Sequence, residues 1–160
     1  MAPENNPDNQ YLLDDVDRGV LYALQRDARN TTASEIADEV GVSASTVRNR
    51  IANLEKQGII EGYNPKLDYE KAGFTLRTLF VATAPARDRN TLAKQALSVP
   101  GVIDVREMLT SQRNLYIEAI ATNTSDLAKM TNELTDLGLE LLSSEIVANH
   151  YAQPFGELKF

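Results

Sequence analysis

The spacing of apolar residues changes once along this chain, and that change limits what it can fold into. Up to about residue 57, apolar side chains recur at intervals of three and four. Val16, Val20, Leu21 and Leu24 form one stripe, Ile36, Ala37 and Val40 a second, and Val47, Ile51 and Leu54 a third. That repeat belongs to one face of a helix. From residue 75, "TLRTLFVATA", "VIDVREML", "LYIEAIA" and "LELLSSEIVANHY" read as strands. Between them, "NTLAKQALS" and "TSDLAKMTNELTDLG" are helical, with Leu92, Ala93, Ala96 and Leu97, then Leu127, Met130, Leu134 and Leu137, each on one face. The second half is therefore strand-helix-strand twice over, the ferredoxin-like βαββαβ arrangement of a sheet with two helices on one face. Helices first and a mixed sheet second predict an α+β chain of two domains, which 160 residues can supply.

Local signals place the ends of these elements. Asp14 or Asp15 can cap the first helix, and Asp17 falls in its first turn, where an acid suits the helix dipole. Thr32 and Glu35 have capping-box spacing, Gly41 can close the second helix, Ser43 can cap the third, and Gly58 can end it. "IIEGYNPKLD" reads as a short extended piece with a turn at Asn64-Pro65, and "TSQRN" as a hairpin connection. The expected organisation is a tail over 1–12, a helix-turn-helix domain over 13–67 with its motif at about 33–54, and a connector over 68–74. A ferredoxin-like effector and oligomerisation domain over 75–151 and a tail over 152–160 complete it.

The third helix carries the chemistry. At about 100° per residue, Val47, Ile51 and Leu54 define its buried line. Ser45, Asn49, Ala52 and Lys56 lie opposite, flanked by Arg48, Thr46 and Asn53. Arg50 falls nearer the buried side, where it lies along the domain edge or reaches a phosphate. Two helices joined by a short turn at Gly41 form a helix-turn-helix arrangement, whose second helix enters the major groove. Such a helix needs small residues near its start and Arg, Asn or Lys to meet phosphates and base edges. The alternative is an ordinary helical hairpin with a solvated polar face.

The charge balance bears on this choice. The chain has a formal net charge of −7, with 23 acidic and 16 basic residues. Residues 1–74 hold 13 acids and 8 bases, so the half with the candidate reading helix is the more acidic. Phosphate contacts normally dominate affinity for DNA, and a basic domain is their usual footprint. Locally the sign reverses: residues 43–57 carry Arg48, Arg50 and Lys56 against Glu55 alone. An acidic surface with few lysines also suits concentrated salt, where the screening length is about 3 Å at 1 M. That pattern points to a salt-loving source.

Other classes of chemistry find little footing. There are no cysteines, which excludes disulfides, thiolate chemistry and cysteine–zinc sites. His150 is the one histidine and reads as a strand residue near an interface. No Ser–His–Asp arrangement or phosphate-cradling glycine loop is present, so no catalytic or metal residue and no cofactor is assigned. Asp104, Glu107 and Glu118 stand on neighbouring strands, as a carboxylate site for a cation or as a solvated face. Tyr116 and Tyr151 read as packing residues. The start, "MAPENNPDNQ", lacks the apolar core of a signal peptide, and no apolar run approaches the roughly 18 residues of a membrane span. A cytoplasmic protein without membrane contact is expected.

The stretch "LDDVDRGVLYALQRDARNTTASEIADEVGVSASTVRNRIANLEKQGIIEGYNPKLDYEKAGF" resembles the N-terminal half of the Lrp/AsnC (feast/famine) family of transcription regulators. The strand-helix-strand repeat resembles that family's C-terminal ligand-sensing and assembly domain. The likeness runs from about Leu13 to Tyr151. It implies a homodimer or higher oligomer that binds double-stranded DNA through paired reading helices and responds to an amino acid or similar small effector. In the family the third helix reads, which maps to Ser43, Ser45, Thr46, Arg48, Asn49, Arg50 and Lys56.

One departure stands in the hairpin. Amino-acid-sensing members commonly carry a pattern like Thr-Gly-x-x-Asp-Tyr there. This chain has Thr110-Ser111-Gln112-Arg113-Asn114-Leu115-Tyr116. Ser111 replaces the glycine, the aspartate is lost, and Arg113 adds a positive charge. The resemblance therefore places effector contacts at Ser111, Gln112, Arg113 and Asn114, with an anionic effector, or none, in place of an amino acid. The same residues also read as a polar tip at a subunit interface. Two further readings remain: an enzyme like the family-related haem-precursor decarboxylases, and a sensor module that no longer binds DNA.

Overall fold

The computed structural model describes residues 11–155. Residues 1–10 of the expected tail over 1–12, and 156–160 of the expected tail over 152–160, lie outside it. The described chain divides into two compact units. One runs to Pro65 and takes in the segment from Tyr151 onward, and the other spans Lys66–His150.

The first unit is built on three helices: α1 (Asp15–Asp27), α2 (Ala33–Val40) and α3 (Ala44–Lys56). Each begins where a side-chain oxygen meets an orphan N–H. Asp14 caps α1, accepting the Asp17 N–H at 2.8 Å, while Asp17 accepts the Asp14 N–H in return. Thr32 and Glu35 form the same reciprocal box on α2. Ser43 caps α3 through the Thr46 N–H. Gly41 ends α2 at φ +74°, a left-handed conformation that favours glycine. Its N–H and that of Val42 both reach the Ala37 carbonyl.

The apolar stripes meet as a core of Val20, Leu21, Ala23, Ile36, Ala37, Val47 and Leu54. Burying each large side chain contributes about 1.5–3 kcal/mol. Val16, Leu24, Val40 and Ile51 pack around that core while remaining partly exposed. Gly19, mid-helix in α1, faces Val40: a Cβ there would lie 2.4 Å from Val40 Cγ1. Its bare backbone lets the two helices approach closely. Beyond α3, the Ile59 and Ile60 N–H groups return to the Leu54 carbonyl. Residues 61–68 are irregular. The turn expected at Asn64-Pro65 does not form there; it comes at 69–73, where the Ala72 N–H reaches the Asp68 carbonyl and the Phe74 N–H the Tyr69 carbonyl. The expected connector is thus the opening turn of the second unit.

The second unit holds β1 (Leu76–Thr83), α4 (Arg89–Ala96), β2 (Val102–Glu107), β3 (Leu115–Ala121), α5 (Thr124–Asp136) and β4 (Glu140–Ile146). The sheet order is β2-β3-β1-β4 and every neighbouring pair is antiparallel. The mixed sheet expected from the sequence is therefore corrected. Each βαβ crossover skips one position, and the strand inserted there runs the other way, which is the split arrangement of ferredoxin-like folds. Alternate residues of β1 and β3 (Phe80 and Ala82, Leu115, Ile117 and Ala119) join Leu92, Ala93, Ala96, Met130 and Leu134 of the helices in one core. β4 ends at Ile146, opposite Thr78, because β1 offers little backbone beyond that point. His150 therefore follows the strand, exposed, and Tyr151 is exposed rather than packed. Among the described residues, no helix is long and apolar enough to cross a membrane.

Candidate nucleic-acid interface

The outward face of α3 is set by its first residue and by the ties at its flanks. The Ser43 hydroxyl, besides capping the helix, lies 2.9 Å from Ser45 Oγ and 2.8 Å from Thr46 Oγ1. Three small hydroxyls therefore stand together at the helix N-terminus, where free N–H groups and the dipole favour a phosphate. Ser45, Arg48, Asn49 and Lys56 are exposed, and Thr46 is half-buried. Among the described residues, no hydrogen bond or ion pair engages the side chains of Arg48, Asn49 or Lys56. Ala52, small and exposed, separates Asn49 from Lys56.

Arg50 is placed differently. Its Nη1 lies 2.7 Å from Asp14 Oδ2 and 3.1 Å from Asp17 Oδ1. The hydrogen bond to Asp14 is the main reason its guanidinium is held above its ordinary value, outweighing partial burial. Asp14 is in turn held below the usual carboxylate range, first by the Asp17 N–H. The reading set predicted from the sequence thus divides. Arg48, Asn49, Lys56 and the small hydroxyls share the outward face, and Arg50 is bound to α1.

The acid on this flank, Glu55, accepts the Tyr63 hydroxyl at 2.8 Å. Partial burial, followed by that hydrogen bond and the carboxylate's charge, pushes the Tyr63 phenol up to about 12. Tyr63 also lines a cavity of about 790 Å³ with Leu13, Leu24, Ile59 and Phe155.

In the second unit, Ser111, Gln112 and Arg113 are exposed together at the hairpin tip, and Asn114 is not among them. Asn114 is 1% exposed, and its amide holds both backbone groups of Ala84. Arg113 has φ +52°, unusual outside glycine, and its N–H donates to Thr83 Oγ1 at 3.0 Å. Arg89 secures the other side through Glu107 at 2.7 Å and the Thr110 carbonyl at 3.3 Å. Hydrogen bonding to Arg89 is the first cause that holds Glu107 below its ordinary range. The three acids on neighbouring strands make no shared cation site. Asp104 pairs with Arg106, Glu107 with Arg89, and buried Glu118 with both Arg77 and Arg106. Among the described residues no group of acids or histidine could hold a metal ion.

Comparison with known proteins bears on the first unit and on the fold of the chain. Residues 13–61 match a family described as winged helix-turn-helix DNA-binding. The HTH-type transcriptional regulator LrpA of Pyrococcus horikoshii is 36% identical over 120 residues, covering 73% of this chain and 82% of that protein. The chain belongs to the Lrp/AsnC family. It is a DNA-binding transcription regulator. A second relative, the HTH-type transcriptional regulator AldR of Mycolicibacterium smegmatis, is 30% identical over 124 residues, 76% of this chain and 71% of that protein. The structure of E. coli AsnC shares the fold at a TM-score of 0.72 and 24% identity, covering 89% of this chain and 97% of that one. So does B. subtilis LrpC, at 0.74 and 17% identity over 89% and 99%.

Within this Lrp/AsnC regulator, sequence reasoning missed two sets of residues. Buried Asp17 gave no signal beyond a favourable place in a first turn. The Asn114 clamp gave none, since its partner lies 30 residues away.

Proposed function

We propose that α3 of this Lrp/AsnC regulator lies in the major groove of double-stranded DNA. Ser43, Ser45 and Thr46 hold phosphate at its N-terminus, and Arg48, Asn49 and Lys56 meet base edges and the backbone. The observation that carries this reading is the unengaged basic and amide face of Arg48, Asn49 and Lys56 beside a hydroxyl-lined helix start. The protein works as a homodimer or larger, so that two such helices span a two-fold site. It acts in the cytoplasm as a binding protein and not as an enzyme; its one histidine, His150, stands exposed after β4. The second unit assembles the oligomer and answers a small effector at Ser111, Gln112 and Arg113. Arg113 favours an anionic group there, while Asn114 shapes the tip from beneath. The acidic balance fits binding in concentrated salt.

The test is retention of sheared genomic DNA on purified protein across a salt series, followed by sequencing. Enrichment of a few fragments sharing an inverted repeat supports the reading. Uniform recovery at every salt concentration removes it.

A further inference from the structure

The reading helix is tied to α1 by a polar contact at a defined place. Asp17 is 1% exposed. Its Oδ1 accepts Arg50 Nη1 at 3.1 Å, and its Oδ2 accepts the Tyr11 hydroxyl at 3.0 Å and the Asp14 N–H at 3.3 Å. The same Arg50 nitrogen lies 2.7 Å from Asp14 Oδ2. The capping box that starts α1 is therefore also the dock for α3, 33 residues further along the chain.

Two physical facts make this dock more than a fastening. A buried carboxylate is tolerated only when paired and hydrogen-bonded, so Asp17 demands a cation at one position. Apolar packing is non-directional, and of the three apolar residues on the inner line of α3 only Val47 and Leu54 are fully buried, with Ile51 partly exposed. A directional ion pair therefore defines the roll of the helix more sharply than this apolar line does. Arg50 follows Asn49 directly and stands two residues beyond Arg48, so fixing Arg50 fixes the roll angle at which both are presented.

We propose that Asp17 and Arg50 are a positioning pair that sets the roll of α3 and thereby the base preference of Arg48 and Asn49, with Arg50 making no phosphate contact. This rests on the reading of α3 given above. Asp17 is 1% exposed, so an effect it has on base preference passes through the groups it holds: Arg50 on α3, which the double variant isolates, or Tyr11 and the Asp14 N–H at the start of α1.

The experiment uses the full chain, a DNA site recovered by genomic selection, and single-base variants of that site. Affinity is measured over a salt series for wild type, Asp17→Asn, Arg50→Gln and the double variant. Asp17→Asn keeps the side chain's size and one oxygen acceptor, Asp14 still contacts Arg50, and a melting curve checks that the variant folds. The expected result is at least a fivefold loss of discrimination between the site and its single-base variants in Asp17→Asn. Arg50→Gln loses more, and the double variant, which can pair amide with amide, recovers part of it. The slope of log affinity against log salt stays unchanged throughout. The proposal is overturned if Arg50→Gln lowers that slope by about 0.9, the mark of one lost phosphate contact. It is also overturned if Asp17→Asn lowers the melting temperature but leaves discrimination intact, the mark of a purely structural pair. Should Arg50→Gln fail to fold, Asp17→Asn alone decides. If wild type itself shows no site preference, the reading of α3 has failed instead, a result separable from either of these.

Discussion

Asn114 grips Ala84 from both sides: its Oδ1 accepts the Ala84 N–H at 2.8 Å, and its Nδ2 donates to the Ala84 carbonyl at 2.9 Å. The contact ties the start of β3 to the exit of β1, two points separated by 30 residues in sequence. The neutral amide supplies an acceptor and a donor to one residue's backbone, which an ionised carboxylate, an acceptor only, does not. Asn114→Asp places a buried charge opposite a carbonyl and should destabilise the second unit by about 2–3 kcal/mol, since each unsatisfied buried group costs about 1–3 kcal/mol. Ser111→Ala and Gln112→Ala, at exposed positions, should stay within about 0.5 kcal/mol of wild type. Urea unfolding of the three variants separates scaffold from tip, and equal losses in all three would contradict the division.

Gly19→Ala sets two effects against each other. Alanine gains about 1 kcal/mol of helix propensity over glycine. The new methyl would meet Val40 Cγ1 at 2.4 Å, and overpacking costs about 1–3 kcal/mol where β-branched neighbours cannot swing away. The expected outcome is a net loss of up to about 2 kcal/mol in thermal unfolding of the first unit. A stabilised variant would mean that α1 and α2 are free to part.

The helix caps predict an acid weakness. Asp14 and Glu35 are both held below their ordinary values, first by the N–H groups they accept, from Asp17 and Thr32 respectively. A depressed carboxyl contributes stability above its unfolded value and loses it as pH falls through the folded one. The first unit should therefore keep its helices above about pH 4.5 and lose stability progressively below about pH 4. Glu35→Gln, which cannot titrate, should flatten its share of that loss. Circular dichroism against pH, at constant salt, measures both. A variant that follows the wild-type acid curve would show that the box on α2 contributes nothing.

Leu54 is fully buried at the centre of the first core. Leu54→Ala should cost about 2–5 kcal/mol and, in a small unit, threaten folding at moderate temperature. Ile51→Ala, at a partly exposed position, should cost clearly less. Denaturant midpoints that rank the pair the other way would show that the phase of α3 is wrong.

What was legible in the sequence was local. Asp14, Thr32 with Glu35, Ser43 and Gly41 act on groups within four residues of themselves, so spacing alone reveals them. The apolar repeat places Val20, Val47 and Leu54 inside for the same reason. What escaped was long-range. Arg50 reads as a phosphate ligand or an edge residue until its carboxylates on α1 are seen, and Asn114 reads as a hairpin polar residue until Ala84 is brought beside it. The end of β4 was misjudged because a strand stops where its neighbour stops, and "IVANHY" carries no mark of where β1 begins. The antiparallel sheet was missed for a similar reason, since strand order follows from how the crossovers interleave.

The outward face of α3 is proposed to read bases. The most direct measurement compares wild type with Arg48→Ala on a recovered site and on its single-base variants. Arg48 is exposed and bonded to no described residue, so the variant should melt like wild type. It should lose about 1–3 kcal/mol of affinity for the site and bind the variants nearly as well as the site. Unchanged affinity and unchanged preference in a folded Arg48→Ala protein would contradict the account.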